Sequence, residues 1–353
     1  MTAARPRFAI TELNRYATEL FAAAGMPPER AAIVAQLLVE ADAMGHDTHG
    51  LNLCGQYLDH LQTGEMAARG DFTVITDRGA TVLWDGGYLS GVWLTHQAIQ
   101  LGCERAKEFG TATISIRRSH HIACLAAFLP LATDRNLMIT LASSDPSVAA
   151  VAPFGSHEAK FTPNPLAVGI PTATDPILID ISASATTMGL TARMEGRGEK
   201  LAGDWLVDNQ GRASNDPSVL EADPPGALLA LGGLDRGHKG FALAIMIEAL
   251  TSGLPGYGRA NSPTNWGAGV YLQITDPEAF GGLDAFTHQT GWLAEQCRGA
   301  AVPRGAAPVR MPGDGALARR REATENGVKL YPNILAGLAP CTERLGVHPP
   351  VCL

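Results

Sequence analysis

At about residue 70 the apolar side chains of this chain change their period, and that change limits the fold more than any single motif does. Before it they recur at helical spacing. Residues 11–24 put Leu13, Tyr16, Ala17, Leu20 and Phe21 on one face, with Thr11 as the expected cap. Pro27-Pro28 interrupts, and residues 29–44 form a second expected helix carrying Ile33, Val34, Leu37 and Leu38. A third, residues 53–61, ends at Thr63-Gly64. Beyond residue 70 come short β-type runs at 72–75, 81–83, 111–116, 138–141, 167–170 and 177–181, with helices expected at 94–109 and 123–134. Strands alternating with helices and hairpins predict an α/β architecture. Residues 237–250 read as a strongly apolar helix. A mixed segment opens at 276–280 and closes with an amphipathic stretch and a Pro-rich tail.

Composition narrows the class further. With 46% hydrophobic residues in 353, the chain holds enough apolar mass for an ordered core. Its 27 Lys+Arg against 35 Asp+Glu give a net charge of -8, which argues against a nucleic-acid partner. No apolar run approaches the roughly 18 residues of a membrane span. The six cysteines contain no C-x-x-C pair and the start lacks the apolar core of a secretion signal, so a reducing cytoplasm is expected. Only Lys107, Lys160, Lys200, Lys239 and Lys329 are available for lysine chemistry.

The one match to a dinucleotide-binding G-x-G-x-x-G/A fingerprint is Gly313-Asp-Gly315-Ala-Leu-Ala318. It follows no strand, and too little chain remains after it for a doubly wound domain, so a surface turn is expected there. Chemistry-bearing residues cluster elsewhere. Gly45-His46-Asp47-Thr48-His49-Gly50 places two imidazoles, a carboxylate and a hydroxyl between glycines at a helix end, fit either for a polar cap or for proton transfer. Arg118-Ser119-His120-His121 follows a strand, at the edge where α/β sheets carry their sites. Asn164 stands in the rigid turn Thr162-Pro-Asn-Pro165. Asp180-Ile-Ser182-Ala-Ser184 ends a strand, and Gly237-His238-Lys239-Gly240 opens a helix; both suit phosphate or carboxylate oxygens.

Taken in order, these words resemble the malate/L-lactate dehydrogenase family, which includes ureidoglycolate, sulfolactate and diketogulonate enzymes and cyclic-imine carboxylate reductases. The resemblance runs over about residues 8–330 through Ala41-Asp42, Gly45–Gly50, Tyr57, Ser119-His120-His121, Pro153-Phe154-Gly155, Asn164-Pro165-Leu166, Ile179–Ser184, Gly232-Gly233, His238-Lys239-Gly240 and Pro312-Gly313-Asp314. It implies a non-Rossmann fold, hydride transfer with NADH or NADPH, a 2-oxo or 2-hydroxy acid substrate and a homodimer. It also implies three segments: a helical part over residues 1–75, an α/β NAD(P)-binding domain over 76–310, and a C-terminal segment over 311–353 that returns to the first.

By the same resemblance His49 or His121 is the proton donor, with Thr48 orienting it and Asp180 in the catalytic set. Tyr57, Arg118, Lys160 and the Leu53 position face substrate. His121, Asn164, Asp180, Ser182, Ser184, Thr186, His238, Lys239, Pro312, Gly313 and Asp314 contact cofactor. Two departures from the family pattern stand out: Arg118 replaces the usual asparagine, and Leu53 replaces an arginine that clamps the substrate carboxylate. The vacancy at Leu53 leaves room for a second reading, reduction of a cyclic imine carboxylate or of an imine formed from an amine and a 2-oxo acid. Two further rivals are a metal-dependent hydrolase using His46, His49 and His120, and a non-catalytic binding descendant. No metal is expected on the preferred reading.

Overall fold

The computed structural model describes residues 6–353, so Met1–Arg5 of the expected leaderless start lie outside it. The helical start is α1 (Ile10–Ala23), α2 (Pro28–Met44), a 3-10 turn (Leu51–Leu53) and α3 (Cys54–Thr63). α1 opens one residue before Thr11, with Ala9 at the cap position and no side-chain cap, so Thr11 sits inside the first turn. α2 takes Pro28 at its start, where a missing N–H costs nothing, and stops at Gly45, whose φ of 84° lets its N–H reach back to Asp42 O.

Then follow β1 (Thr73–Asp77), β2 (Thr81–Asp85), α4 (Gly91–Phe109), β3 (Thr111–Ser119), α5 (Pro130–Thr133), β4 (Met138–Ser144), β5 (Pro165–Ile170) and β6 (Ile177–Ser182). After these come α6 (Met188–Glu195), β7 (Leu206–Val207), β8 (Ala213–Ser214), β9 (Ala227–Leu228), α7 (Gly233–Arg236), α8 (His238–Glu248) and β10 (Ala268–Thr275). The chain closes with α9 (Leu283–Arg298), α10 (Asp314–Asn326) and α11 (Ile334–Leu345). Residues 123–134 do not make the single helix expected. Ala123 takes a left-handed φ of 59°, and a 3-10 turn (Leu125–Phe128) precedes the short α5, which Pro130 opens.

Seven strands form one sheet in the order β1-β2-β3-β10-β4-β5-β6. Only β2 and β3 run parallel; every other neighbour pair is antiparallel, which is not the all-parallel sheet of a doubly wound nucleotide fold. The central strand β10 is one of the elements the sequence reading missed, along with α6 and β7–β9. Its Val270, Leu272 and Ile274 alternate at period two and are fully buried, but the run begins Ala268-Gly269, both poor strand formers. Gly269 is required there, since a Cβ would sit 2.0 Å from Thr251 O.

The helical start and the large sheet share one apolar core, from Leu13, Leu20 and Leu38 through Leu94 and Phe128 to Ile114 and Leu272. Leu317, Ile334 and Leu338 of the last two helices join it, and Tyr16 OH meets Thr342 Oγ1 at 2.5 Å. A smaller core of Val151, Phe161, Leu206, Leu228 and Ala244 lies around the three-stranded sheet β8-β7-β9 and α8. Residue 75, the expected end of the first segment, lies within β1. The Gly313 turn is not free at the surface: Leu178 N of β6 donates to Pro312 O at 3.1 Å, and Gly313, with φ 93°, caps α10.

Candidate active site

Two glycines set the conformation of the histidine loop between α2 and the 3-10 turn. A Cβ on Gly45 would fall 2.2 Å from Arg319 Nε, which donates instead to Met44 O at 2.8 Å. A Cβ on Gly50 would fall 2.4 Å from the Asp42 carboxyl group, which accepts from Leu51 N at 2.7 Å. Burial holds the Asp42 carboxyl up at about 8, and its Oδ1 has no partner among the described residues. The loop therefore wraps around a buried carboxyl group on one side and a guanidinium on the other.

Within that loop His49 Nδ1 lies 2.8 Å from Thr48 Oγ1. Its ring centroid is 6.1 Å from that of His121, which β3 delivers from the other side. His121 Nδ1 lies 2.7 Å from Tyr57 OH of α3, and the Ala123 N–H points at the same nitrogen from 3.3 Å. An atom receiving a backbone N–H is an acceptor, so Tyr57 donates and the ring proton of neutral His121 resides on Nε2. Trp266 stacks on His121 with centroids 4.4 Å apart and rings within 17° of parallel. Burial pushes His49 down to about 4 and His121 well below the usual imidazole value, each lowered further by neighbouring histidines. Both are neutral at pH 7.

The remaining expected residues divide. Asp180 Oδ2 accepts from Ala126 N at 2.9 Å, which brings the end of β6 against the turn after His121; desolvation raises its carboxyl to about 6. Asp180, Pro312 and Gly313 line a cleft of about 670 Å³ together with His46, Arg310, Gly315 and Arg319. Asp314 folds the turn beside it, accepting from Met311 N and pairing with Arg298. Ser182 and Ser184 bond to each other and to their own turn, and the Thr186 hydroxyl is buried without a partner among the described residues.

Asn164 is fully buried and turns inward: it donates to Ala244 O and Glu248 Oε1 and accepts from Thr162, so it braces β5 against α8. Arg118 is held by the buried Asp85 carboxylate, and exposed Lys160 pairs with Glu158 on a loop. Leu53 packs against the main core. His238 and Lys239 stand exposed at the start of α8, outside the lining of the cleft. The histidines grouped for a metal do not meet either: His120 Nε2 lies 3.0 Å from His60 Nδ1, while His46 faces the cleft.

Sequence reasoning missed Trp266, His60 and Arg193. Arg193 of α6 pairs with Asp47 at 2.9 Å and lies 3.6 Å over the Tyr331 ring, so it ties three distant segments around the histidine loop. No spacing rule links those positions.

The cleft suits a dinucleotide. Gly315 has no Cβ, and one built there would meet the guanidinium groups of Arg319 and Arg310 at 3.3 and 3.5 Å, so the missing side chain leaves a cationic cradle. A pair of neutral imidazoles is of the kind that serves proton transfer, and the mixed sheet is not a Rossmann sheet. The malate/L-lactate dehydrogenase family profile matches residues 8–339, and the chain belongs to that family. It is 28% identical to hydroxycarboxylate dehydrogenase B of Escherichia coli O157:H7, over 97% of this chain and 95% of that one. It is 29% identical to the L-sulfolactate dehydrogenase of Methanothermobacter thermautotrophicus, over 94% of each. The solved delta1-piperideine-2-carboxylate reductase of Pseudomonas syringae superposes with a TM-score of 0.81 at 27% identity, covering 96% of this chain and 99% of that one. The chain is an oxidoreductase that uses NAD(H) or NADP(H). Among the described residues no helix is long and apolar enough to cross a membrane.

Proposed function

We propose that the chain interconverts a small 2-oxo acid and its 2-hydroxy acid, with the substrate oxygen between His49 and His121. The observation that carries this reading is the imidazole pair: each ring has one nitrogen held by a hydroxyl, Thr48 or Tyr57, which leaves Nε2 of each for the substrate. Asp180, Pro312, Gly313, Arg310 and Arg319 would hold the cofactor, which supplies or takes the hydride when bound. His121, neutral and protonated on Nε2, donates a hydrogen bond to the carbonyl oxygen and polarises it. His49 moves the proton, accepting it from the hydroxyl of a 2-hydroxy acid and returning it to the oxygen in reduction. Trp266 covers His121 and excludes water from one face.

A second reading keeps the same residues and changes the substrate to a cyclic imine carboxylate. Two observations favour it: the apolar Leu53 stands where the family's arginine is expected, and the piperideine carboxylate reductase is a structural neighbour. We place the enzyme in the cytoplasm as a homodimer; exposed Ile245, Met246 and Leu254 at the end of α8 are apolar surface of the kind subunits cover. The test is the absorbance of the reduced nicotinamide over a panel of 2-oxo acids, 2-hydroxy acids and cyclic imines, with tryptophan-to-cofactor energy transfer as the binding readout. Turnover of an acid that is lost in both His49→Asn and His121→Asn supports the assignment. No binding of either cofactor at millimolar concentration refutes it, and light scattering checks the dimer.

A further inference from the structure

The cleft also holds a donor set that the dehydrogenase reaction does not need. We propose that His46, Cys124 and Asp180 form a binding site for a borderline-soft divalent cation of the zinc type, which closes the cofactor cleft when filled. The ligating atoms of the three side chains all lie within 4.8 Å of one another. They come from three separate segments: the loop after α2, the turn after β3 and the end of β6. Cys124 Sγ stands 4.0 Å from Asp180 Oδ2. A tetrahedral centre with bonds of about 2.0–2.3 Å sets its ligand atoms roughly 3.3–3.8 Å apart, so donors up to 4.8 Å apart need to close by about 1–1.5 Å at most.

The donor chemistry selects the cation. One imidazole, one thiol and one carboxylate suit zinc, cobalt or a similar ion; magnesium and calcium take oxygen ligands and gain nothing from sulfur. Three protein ligands leave a fourth position open toward the cleft for water. On binding, the hydrated cation displaces the thiol proton to solvent, so a thiolate and a carboxylate meet the two positive charges. Arg319 and Arg310 line the same cleft and oppose a cation there, which makes the site one that fills from added metal and not a resident centre.

The backbone aims the thiol. Ala123 occupies a left-handed φ of 59°, which L side chains adopt at a cost, and directly after it the chain turns Cys124 inward beside Asp180. Because Asp180 and His46 line the cleft proposed for the dinucleotide, metal and cofactor exclude one another. This competition rests on the proposed cofactor placement; the metal site itself does not.

The experiment uses the full-length protein with cobalt(II) as a coloured stand-in for zinc. Titration without cofactor or substrate is expected to give a thiolate-to-cobalt charge-transfer band at one equivalent, which zinc bleaches. Cys124→Ser abolishes the band and keeps dehydrogenase turnover, while the zinc concentration for half inhibition rises about tenfold or more. Inhibition of the unaltered enzyme is competitive with the cofactor. A band that survives Cys124→Ser assigns the metal to another thiol, such as exposed Cys352, and overturns the proposal, as does the absence of any band at millimolar cobalt. A Cys124-dependent band with inhibition that cofactor does not relieve sustains the metal site and refutes the cofactor placement.

Discussion

Tyr57→Phe isolates the hydrogen bond that fixes the His121 tautomer. Tyr57 is fully buried and phenylalanine fills its volume, so the perturbation is the loss of one hydroxyl. That hydroxyl donates to His121 Nδ1 at 2.7 Å and is the shorter of the two contacts at this nitrogen; the Ala123 N–H remains at 3.3 Å. Losing a buried neutral hydrogen bond with a weaker donor left in place costs about 1–2 kcal/mol. If that energy holds the imidazole in its reactive tautomer, kcat/KM falls about 5- to 30-fold, since each 1.36 kcal/mol is a factor of ten. The assay is steady-state hydride transfer at fixed saturating cofactor, paired with a denaturant melt to show that the fold is kept. The cofactor KM is expected to stay constant, because Tyr57 is not among the residues lining the cleft proposed for the dinucleotide. A folded variant with kcat/KM within twofold of the parent would refute the view that Tyr57 orients the ring.

Three further outcomes follow from the same geometry. Gly50→Ala forces a Cβ to 2.4 Å from the Asp42 carboxyl group, so it is expected to lose about 1–3 kcal/mol in a urea melt and most of its turnover; parental stability would show that the loop has slack. Arg118→Ala leaves the substrate KM unchanged and costs about 0.2–1 kcal/mol, because Arg117 still pairs with Asp85; a KM raised tenfold would return Arg118 to the substrate. His120 is held neutral, lowered to about 3 by burial and by His60, so the unfolded chain takes up its proton first. Its share of stability is complete above pH 6.5 and drains as pH falls toward 3, at up to about 1.4 kcal/mol per unit. His120→Phe should then flatten the acid limb of stability against pH, and an unaltered slope would count against this account.

Much of the site was legible locally. The glycine-bracketed histidine loop announces itself because Gly45 and Gly50 are each demanded by a close approach, and α2 carries its own stop signal. Asp180 was readable as a strand-end feature, whereas the Pro312-Gly313 turn, expected at the surface, packs on β6. Asn164 and Arg118 have internal partners that the sequence does not announce, because a polar side chain is equally suited to a ligand or to a partner within the protein. Glu248 lies 84 positions from Asn164 and Asp85 lies 33 from Arg118, distances at which no local pattern reports a contact.

The sequence by itself determined the helical start, most strand positions, the lack of a Rossmann fingerprint and the two histidine words proposed to carry the chemistry. These are local matters of period, turn residues and backbone freedom. Tertiary structure alone decided that β10, arriving more than a hundred residues after β4, is inserted between β3 and β4. It likewise brought Tyr57 to His121 across 64 positions, laid Trp266 on that ring, and gathered His46, Cys124 and Asp180 at one cleft. Such meetings are set by which apolar faces cover each other in a shared core. Burial is non-directional and leaves no period in the chain from which the partner can be read.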